Sequence, residues 1–249
     1  MNISATLMFV ALAIGVLAGA VWWALRHQTF AIAGIAVHGD LAHNNAVTLR
    51  ANVTPKLSGN FFTVDLERAR MAFETVPWVR KAVVQREFPN RLKVSLQEHQ
   101  PVAYWGMEGE PKLLNSFGEV FDANVGDLEQ DDLPRLNGPV AQAGDVLAMY
   151  RAVKPLFEPL DVVLEELELT GRGSWRAQLD SGAVVELGRG TPDEVVARAQ
   201  RFVRTLTQVT SQYGRSAEAL ESADLRHNDG YAVRLRGVTT GGADSAAKK

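Results

Sequence analysis

The stretch FFTVDLERARMAFETVPWVRKAVVQREFPNRLKVSLQEHQPVAYW, Phe61–Trp105, decides the fold. Asp65 has the side chain to accept a free amide at a helix start, and Leu66, Ala69, Met71, Ala72 and Phe73 then fall mostly on one helical face. Pro77 ends that helix. Two strand-like runs follow, Val79–Phe88 and Arg91–His99, separated by Pro89-Asn90. In the second, Leu92, Val94 and Leu96 point one way and Lys93, Ser95 and Gln97 the other, the alternation of a half-buried antiparallel strand. In the first, Ala82 and Val84, with Arg86 a candidate third, oppose Val83, so the pair reads as a hairpin. Locally, Pro77-Trp78 suits a helix stop with an aromatic plug at the sheet edge, and Phe88-Pro89-Asn90 suits a turn. On this reading these residues build the domain rather than touch partners.

Upstream, Phe30–His38 alternates as a short strand ended by Gly39-Asp40, and Asn44 or Asn45 caps a short helix that runs to about Val53 before Pro55. The order strand, helix, helix, strand, strand implies a small sheet with its helices on one face. Further upstream, Ile3–Leu25 carries no charge. At about 1.5 Å per residue it spans about 34 Å as a helix, against about 30 Å of bilayer hydrocarbon. Trp22 and Trp23 close the run where amphipathic rings favour the headgroup layer, and Arg26 and His27 follow. A retained single anchor is the reading its length favours. Ala18-Gly19-Ala20 leaves a cleaved signal peptide as the competitor, although the run exceeds the usual apolar core and no basic segment precedes it. Charge alone would put Arg26 in the cytoplasm.

Downstream of Pro101 the pattern is strand-rich. Val102–Trp105, Lys112–Asn115 and Glu119–Phe121 are short strands, and Asp127–Asp132 is an acidic, solvated loop. A helix is expected over Ala141–Phe157, then a meander of Val162–Thr170, Trp175–Leu179 and Ala183–Leu187. Thr191-Pro192-Asp193-Glu194 is a capping box that opens a long helix to about Tyr213. Ala223–His227 and Tyr231–Arg236 flank Asn228-Asp229-Gly230 as a last hairpin. The fold class is therefore α+β: residues 1–2 a very short tail, 3–25 a transmembrane helix, 30–99 the first domain, 100–238 a mostly antiparallel β domain with flanking helices, and 239–249 a disordered tail.

The chain of 249 residues has a net charge of −3 and no cysteine, which argues against general nucleic-acid binding and excludes disulfides, zinc ribbons and thiol catalysis. The five histidines show no metal-binding spacing, no Ser sits in a Gly-x-Ser-x-Gly elbow, and Gly188-Arg189-Gly190 lacks the rest of a phosphate loop. Glu165, Glu166 and Glu168 share one strand, whereas a glycosidase needs its carboxylates across a cleft. No enzyme, cofactor, metal or small-molecule substrate is expected. What remains is binding, and the last strand is its best place. A strand at a sheet edge offers unpaired N–H and C=O groups to another chain, and the polar tail beyond Arg236 need not cover them. On physics alone the edge reads equally as one guarded by Arg234 and Arg236.

Several of these pieces, in this order, resemble the FtsQ/DivIB cell-division family, close to its proteobacterial form. They are Phe62-Thr63-Val64-Asp65, Pro77-Trp78-Val79, Phe88-Pro89-Asn90-Arg91-Leu92 and Glu98-His99-Gln100-Pro101-Val102-Ala103, then LLNSFGEVFDA from Leu113, LPRLNGP from Leu133, ELTGRGSWRAQLDSGAVVELGRG from Glu168 and ADLRHNDGYAVRL from Ala223. The resemblance implies a POTRA domain at 30–99 and a single-pass inner-membrane protein at the division septum. Its short N-terminus would be cytoplasmic and both domains periplasmic. It further implies that the β domain binds FtsB and FtsL, with FtsB adding a strand beside the last one, and that other divisome proteins bind through the POTRA and membrane segments. Carried onto this sequence, the partner-binding residues are Arg172, Arg226, His227, Asp229, Gly230, Val233 and Leu235. His227 replaces a family tyrosine, Asp229 a serine and Leu235 a tryptophan, which affects side-chain pockets but not backbone pairing. The family usually begins with a basic tail, where only Met1-Asn2 precedes the apolar run: either the tail is absent or the start is placed late. The competing reading is a secreted or membrane-anchored POTRA-type binding module of an envelope assembly or secretion system.

Overall fold

The computed structural model describes residues 3–27, 30–39, 41–109, 112–128, 132–227 and 230–238. Its contacts divide into two compact units, Met1–His99 and Gln100–Lys249.

In the first unit, α1 (Ile3–Arg26) is the apolar helix, and its span Ile3–Trp23 is long and apolar enough to cross a membrane. The domain that follows contains β1 (Gly34–Gly39), α2 (Ala46–Val53), α3 (Leu66–Glu74), β2 (Val79–Glu87) and β3 (Arg91–Glu98), the strands ordered β1-β3-β2. Asn45 caps α2 by accepting the Val47 amide, and the Asp65 carboxylate accepts the amides of Glu67 and Arg68 at the start of α3. The hairpin keeps Ala82 opposite Leu96 and Val84 opposite Val94, while β1 runs parallel to β3 with Ile35 beside Leu92 and Val37 beside Val94. Leu92, Val94 and Leu96 pack against Leu49, Val53 and Phe73 of the helices, so burying this one face holds the sheet and both helices together.

Trp78 has a role beyond plugging an edge. Its backbone lies at φ +71°, a region bulky residues seldom occupy. Its ring stacks on His43 with centroids 3.9 Å apart. Beside it, Glu98 is only 4 % exposed. That carboxylate accepts the His43 amide at 3.0 Å and the Asn44 side-chain amide at 2.9 Å, and His43 Nδ1 lies 3.2 Å away. The buried charge is thus met by several polar groups, as burial requires.

Among the described residues the second unit is one sheet of nine strands: β4 (Pro101–Trp105), β5 (Lys112–Asn115), β6 (Val120–Asp122), β7 (Arg135–Asn137), β8 (Leu164–Leu169), β9 (Trp175–Leu179), β10 (Val184–Gly188), β11 (Leu220–Asp224) and β12 (Ala232–Leu235), in the order β12-β11-β10-β9-β8-β7-β4-β5-β6. Two helices, α4 (Ala143–Phe157) and α5 (Pro192–Gln212), supply Phe157, Phe202 and Leu206 to a core shared with Leu164, Leu179, Val185 and Leu187. Thr191 and Glu194 complete the capping box of α5. Away from that core, cross-strand ion pairs join Arg135 to Glu166, Arg176 to Glu168 and Glu186, and Arg234 to Glu221. Glu166 and Glu168 of β8 therefore pair with neighbouring arginines.

Three strands differ from the sequence reading. β1 begins at Gly34 rather than Phe30. β7 was not expected; it is a three-residue element held in parallel pairings between β4 and β8. The penultimate strand is β11, Leu220–Asp224, rather than Ala223–His227. It runs parallel to β10, with Ser222 beside Val184 and Asp224 beside Glu186. It ends because the Asp224 carboxylate accepts the Arg226 amide at 3.0 Å, an Asx-type turn that redirects the chain. Asp224 pairs with Ala232, so the connection runs from Leu225 to Tyr231 rather than through a three-residue turn. Asn228, Asp229 and the tail from 239 lie outside the described residues.

Candidate functional site

Among the described residues β12 is the last strand of its sheet and pairs only with β11. Arg236 donates its amide to Ala219 O at 2.8 Å. Because polar groups alternate sides along a strand, Ala232 and Arg234 face β11 as well, and the amides of Val233 and Leu235 and the carbonyl of Val233 face outward. The Leu235 carbonyl accepts the Val238 amide at 3.3 Å. From the opposite side α5 steadies the strand's approach: Tyr231 packs edge-on against Phe202 with centroids 5.1 Å apart, and its hydroxyl bonds Thr205 Oγ1 at 2.6 Å.

A recess of about 580 Å³ opens at the end of the sheet where β10 and β11 finish, lined by Thr170, Arg172, Ser174, Arg176, Glu186, Arg189, Arg198 and Arg226. Arg226 makes a two-pronged bond to Asp224, Nε to Oδ1 at 2.8 Å and Nη2 to Oδ2 at 2.6 Å. That hydrogen bond is the main reason the Asp224 carboxyl is lowered from 3.8 to about 2, and the same partner raises Arg226. Arg176 is held by Glu186 at 2.8 Å, and Arg198 donates to the Arg189 carbonyl. Among the described residues the side chain of Arg172 has no acidic partner. Five arginines facing Glu186 and Asp224 leave the recess net positive, suited to carboxylate groups.

The structure brings Arg172 and Arg226 to this one recess, with His227 exposed beside it. Val233 is half-buried against the core, and Leu235 is 5 % exposed inside it. What these two residues offer outward is backbone, and alternation sends the Leu235 side chain to the α5 face. Asp229 lies outside the described residues, and open space surrounds a Cβ built at Gly230. Trp22 and Trp23 are each 60 % exposed on α1. Sequence reasoning missed Arg176, Arg189 and Arg198. They come from β9, the turn before α5, and α5 itself, and no spacing along the chain links them.

The description "POTRA domain, FtsQ-type" matches residues 30–99, and "Cell division protein FtsQ/DivIB, C-terminal" matches residues 103–226. The chain belongs to the FtsQ/DivIB family. Among similar proteins, the cell division protein FtsQ of Burkholderia pseudomallei is 40 % identical over 96 % of this chain and 93 % of its own length. FtsQ of Thiomonas arsenitoxydans is 37 % identical over 97 % of this chain and 89 % of its own. FtsQ of Bordetella pertussis is 37 % identical over 94 % of this chain and 89 % of its own. In FtsQ/DivIB terms, the first unit contains the POTRA domain, the arginine recess falls within the matched C-terminal domain, and β12 follows just after the matched residues.

Proposed function

We propose that the protein is a non-catalytic, single-pass scaffold of the bacterial divisome. Its POTRA and β domains stand in the periplasm at the septum. The β domain binds the FtsB–FtsL pair by adding a strand of FtsB to β12, and POTRA and the membrane segment bind other division proteins. The observation that carries this reading is the outward backbone of Val233 and Leu235 at the edge of a sheet whose adjoining end is an arginine recess. Backbone pairing supplies affinity, and acidic partner residues reaching Arg172 and Arg226 supply register and orientation. Arg172 lies in the turn before β9, a strand three spacings from β12, about 14 Å, so a partner that reaches Arg172 must extend past the added strand.

The test is binding of the full chain, in lipid nanodiscs, to the periplasmic segments of FtsB and FtsL. Val233→Pro removes an outward N–H at an edge position that tolerates proline. It is expected to weaken binding tenfold or more, about 1.4 kcal/mol, while the protein stays folded. Arg172→Glu is expected to weaken it less and in a salt-dependent way. Wild-type protein that does not bind rejects the partner assignment; equal binding by both variants rejects this surface.

A further inference from the structure

The POTRA domain carries a group of phenylalanines with no use in the site above. Phe88 is 80 % and Phe62 46 % exposed, while Phe61 is buried beneath them. The rings touch edge-on: Phe30 to Phe62 at 5.0 Å, Phe61 to Phe62 at 5.2 Å and Phe61 to Phe88 at 6.5 Å between centroids. An apolar cluster left in water needs a reason.

Its position supplies one. The cluster surrounds the chain that leaves α1. Phe30 donates its amide to His27 O at 3.1 Å, Phe61 donates to Phe30 O at 2.8 Å, and Ala33 donates to Asn90 O at 2.9 Å. The loop bearing Phe61 and Phe62 and the hairpin turn bearing Phe88 are thus each one hydrogen bond from the emerging chain. Phe30 follows His27 by three residues, so at most about 11 Å separate them. Trp22 and Trp23 stand just upstream, and the interfacial layer beyond the hydrocarbon is itself about 5–8 Å deep. Aromatic rings favour that layer.

We propose that this end of the POTRA domain docks on the lipid surface, with Phe62 and Phe88 seated at the headgroup–acyl boundary of the bilayer that α1 spans. The occupant is lipid because the tether holds the cluster at the interface whatever else is present. The proposal rests on α1 being a retained membrane span. Docking would fix the POTRA domain against the membrane instead of leaving it to swing on its tether.

The chain contains no cysteine, so single spin labels can be placed without altering any native thiol. Full-length protein carrying Phe88→Cys, Ser58→Cys, Lys81→Cys or Leu12→Cys would be labelled and reconstituted in vesicles of phosphatidylethanolamine and phosphatidylglycerol. Collision rates with oxygen, which concentrates in lipid, and with a water-soluble nickel chelate report depth. Lys81 is an exposed control about 23 Å along β2 from Phe88. The expected result is that the label at 88 collides several-fold more with oxygen than with nickel, the label at 81 shows the reverse, and the label at 12 reads the bilayer interior. Ser58 lies on the loop of Phe62 and leaves both rings intact. Its label should lose its lipid signal in the Phe62→Ser/Phe88→Ser double variant. Labels at 88 and 58 that read water like 81, while 12 reads the bilayer, overturn the docking alone and leave the cluster to a protein partner. A label at 12 that reads water overturns the anchor and the docking together.

Discussion

In the POTRA sheet, a free backbone group on each outer strand is met by a side chain from the domain itself, whereas β12 of the nine-stranded sheet has its outward groups at Val233 unmet among the described residues. Arg50 of α2 donates to Ile35 O of β1 at 2.8 Å, and Glu74 of α3 accepts the Ala82 amide of β2 at 3.1 Å. Arg86, near the end of β2, reaches the carbonyls of Phe61 at 2.7 Å and Val64 at 2.8 Å. At the far end of the larger sheet, β6 is only Val120–Asp122, and a very short edge strand offers little to pair with. An unpaired edge invites strangers, so proteins usually cover it. The difference between the two sheets leaves β12 as the edge open to pairing, which is what the proposed strand addition requires.

The comparison breaks if the POTRA contacts prove dispensable. Arg86→Ala removes a charged donor from two well-placed carbonyls and a third, of Phe62, at 3.3 Å. We expect a loss of about 2–3 kcal/mol of POTRA stability, because bonds to charged groups are the stronger ones. Hydrogen exchange of the β2 and β3 amides measures it; unchanged protection would mean that these contacts do not hold the domain together. Glu74→Ala should cost less, about 1–2 kcal/mol, by freeing the Ala82 amide and the Arg70 guanidinium that Glu74 also binds. Its signature is local: the Ala82 amide should exchange about tenfold faster than in the parent, with β1 unaffected.

How far the residues announced this differs between the two units for a physical reason. In β3, one buried face writes a strict alternation into Leu92, Val94 and Leu96, and Asp65 and Thr191 mark their helices because capping chemistry is local. β7 left no such mark, since its strand character comes from the parallel neighbours β4 and β8 and not from Arg135-Leu136-Asn137 themselves. The end of β11 depends on where the Asp224 carboxylate turns, which alternation cannot reveal. Arg172 and Arg226 were named through family resemblance, but the recess that unites them with Arg176, Arg189 and Arg198 is a product of topology. Which way the Leu235 side chain faces likewise depends on the register to β11, which places Leu235 beside Leu220.

The openness of β12 also has to be reconciled with its order, and Tyr231 sharpens that point. Tyr231→Phe keeps the packing on Phe202 and removes the hydroxyl bond to Thr205. A loss of about 1 kcal/mol is expected, seen as faster exchange of the Arg234 and Arg236 amides. If those amides do not change, β11 alone holds the strand and α5 contributes nothing to its presentation.

The smallest effect concerns the pair at the start of the edge. The Asp224 carboxyl titrates at about 2 instead of 3.8, chiefly through the Arg226 side-chain hydrogen bond and against partial desolvation. A folded-state value below the unfolded one stabilises the protein above about pH 4, and that contribution disappears as pH falls through the interval down to about 2. Because Arg226 is well exposed, solvent screening keeps that contribution small. Asp224→Asn should therefore flatten the acid dependence of β11 and β12 amide exchange across that interval, and added salt should flatten it in the parent as well. In the POTRA domain Glu67 is likewise lowered by Arg70, but on an exposed helix surface away from any open edge. The two ion pairs should respond alike to salt, and only the loss of Asp224 should loosen the connection from Leu225 to Tyr231 that delivers β12 to its place. Equal loosening by Glu67→Gln would show that the acid sensitivity is general to the fold and not built into the β12 edge.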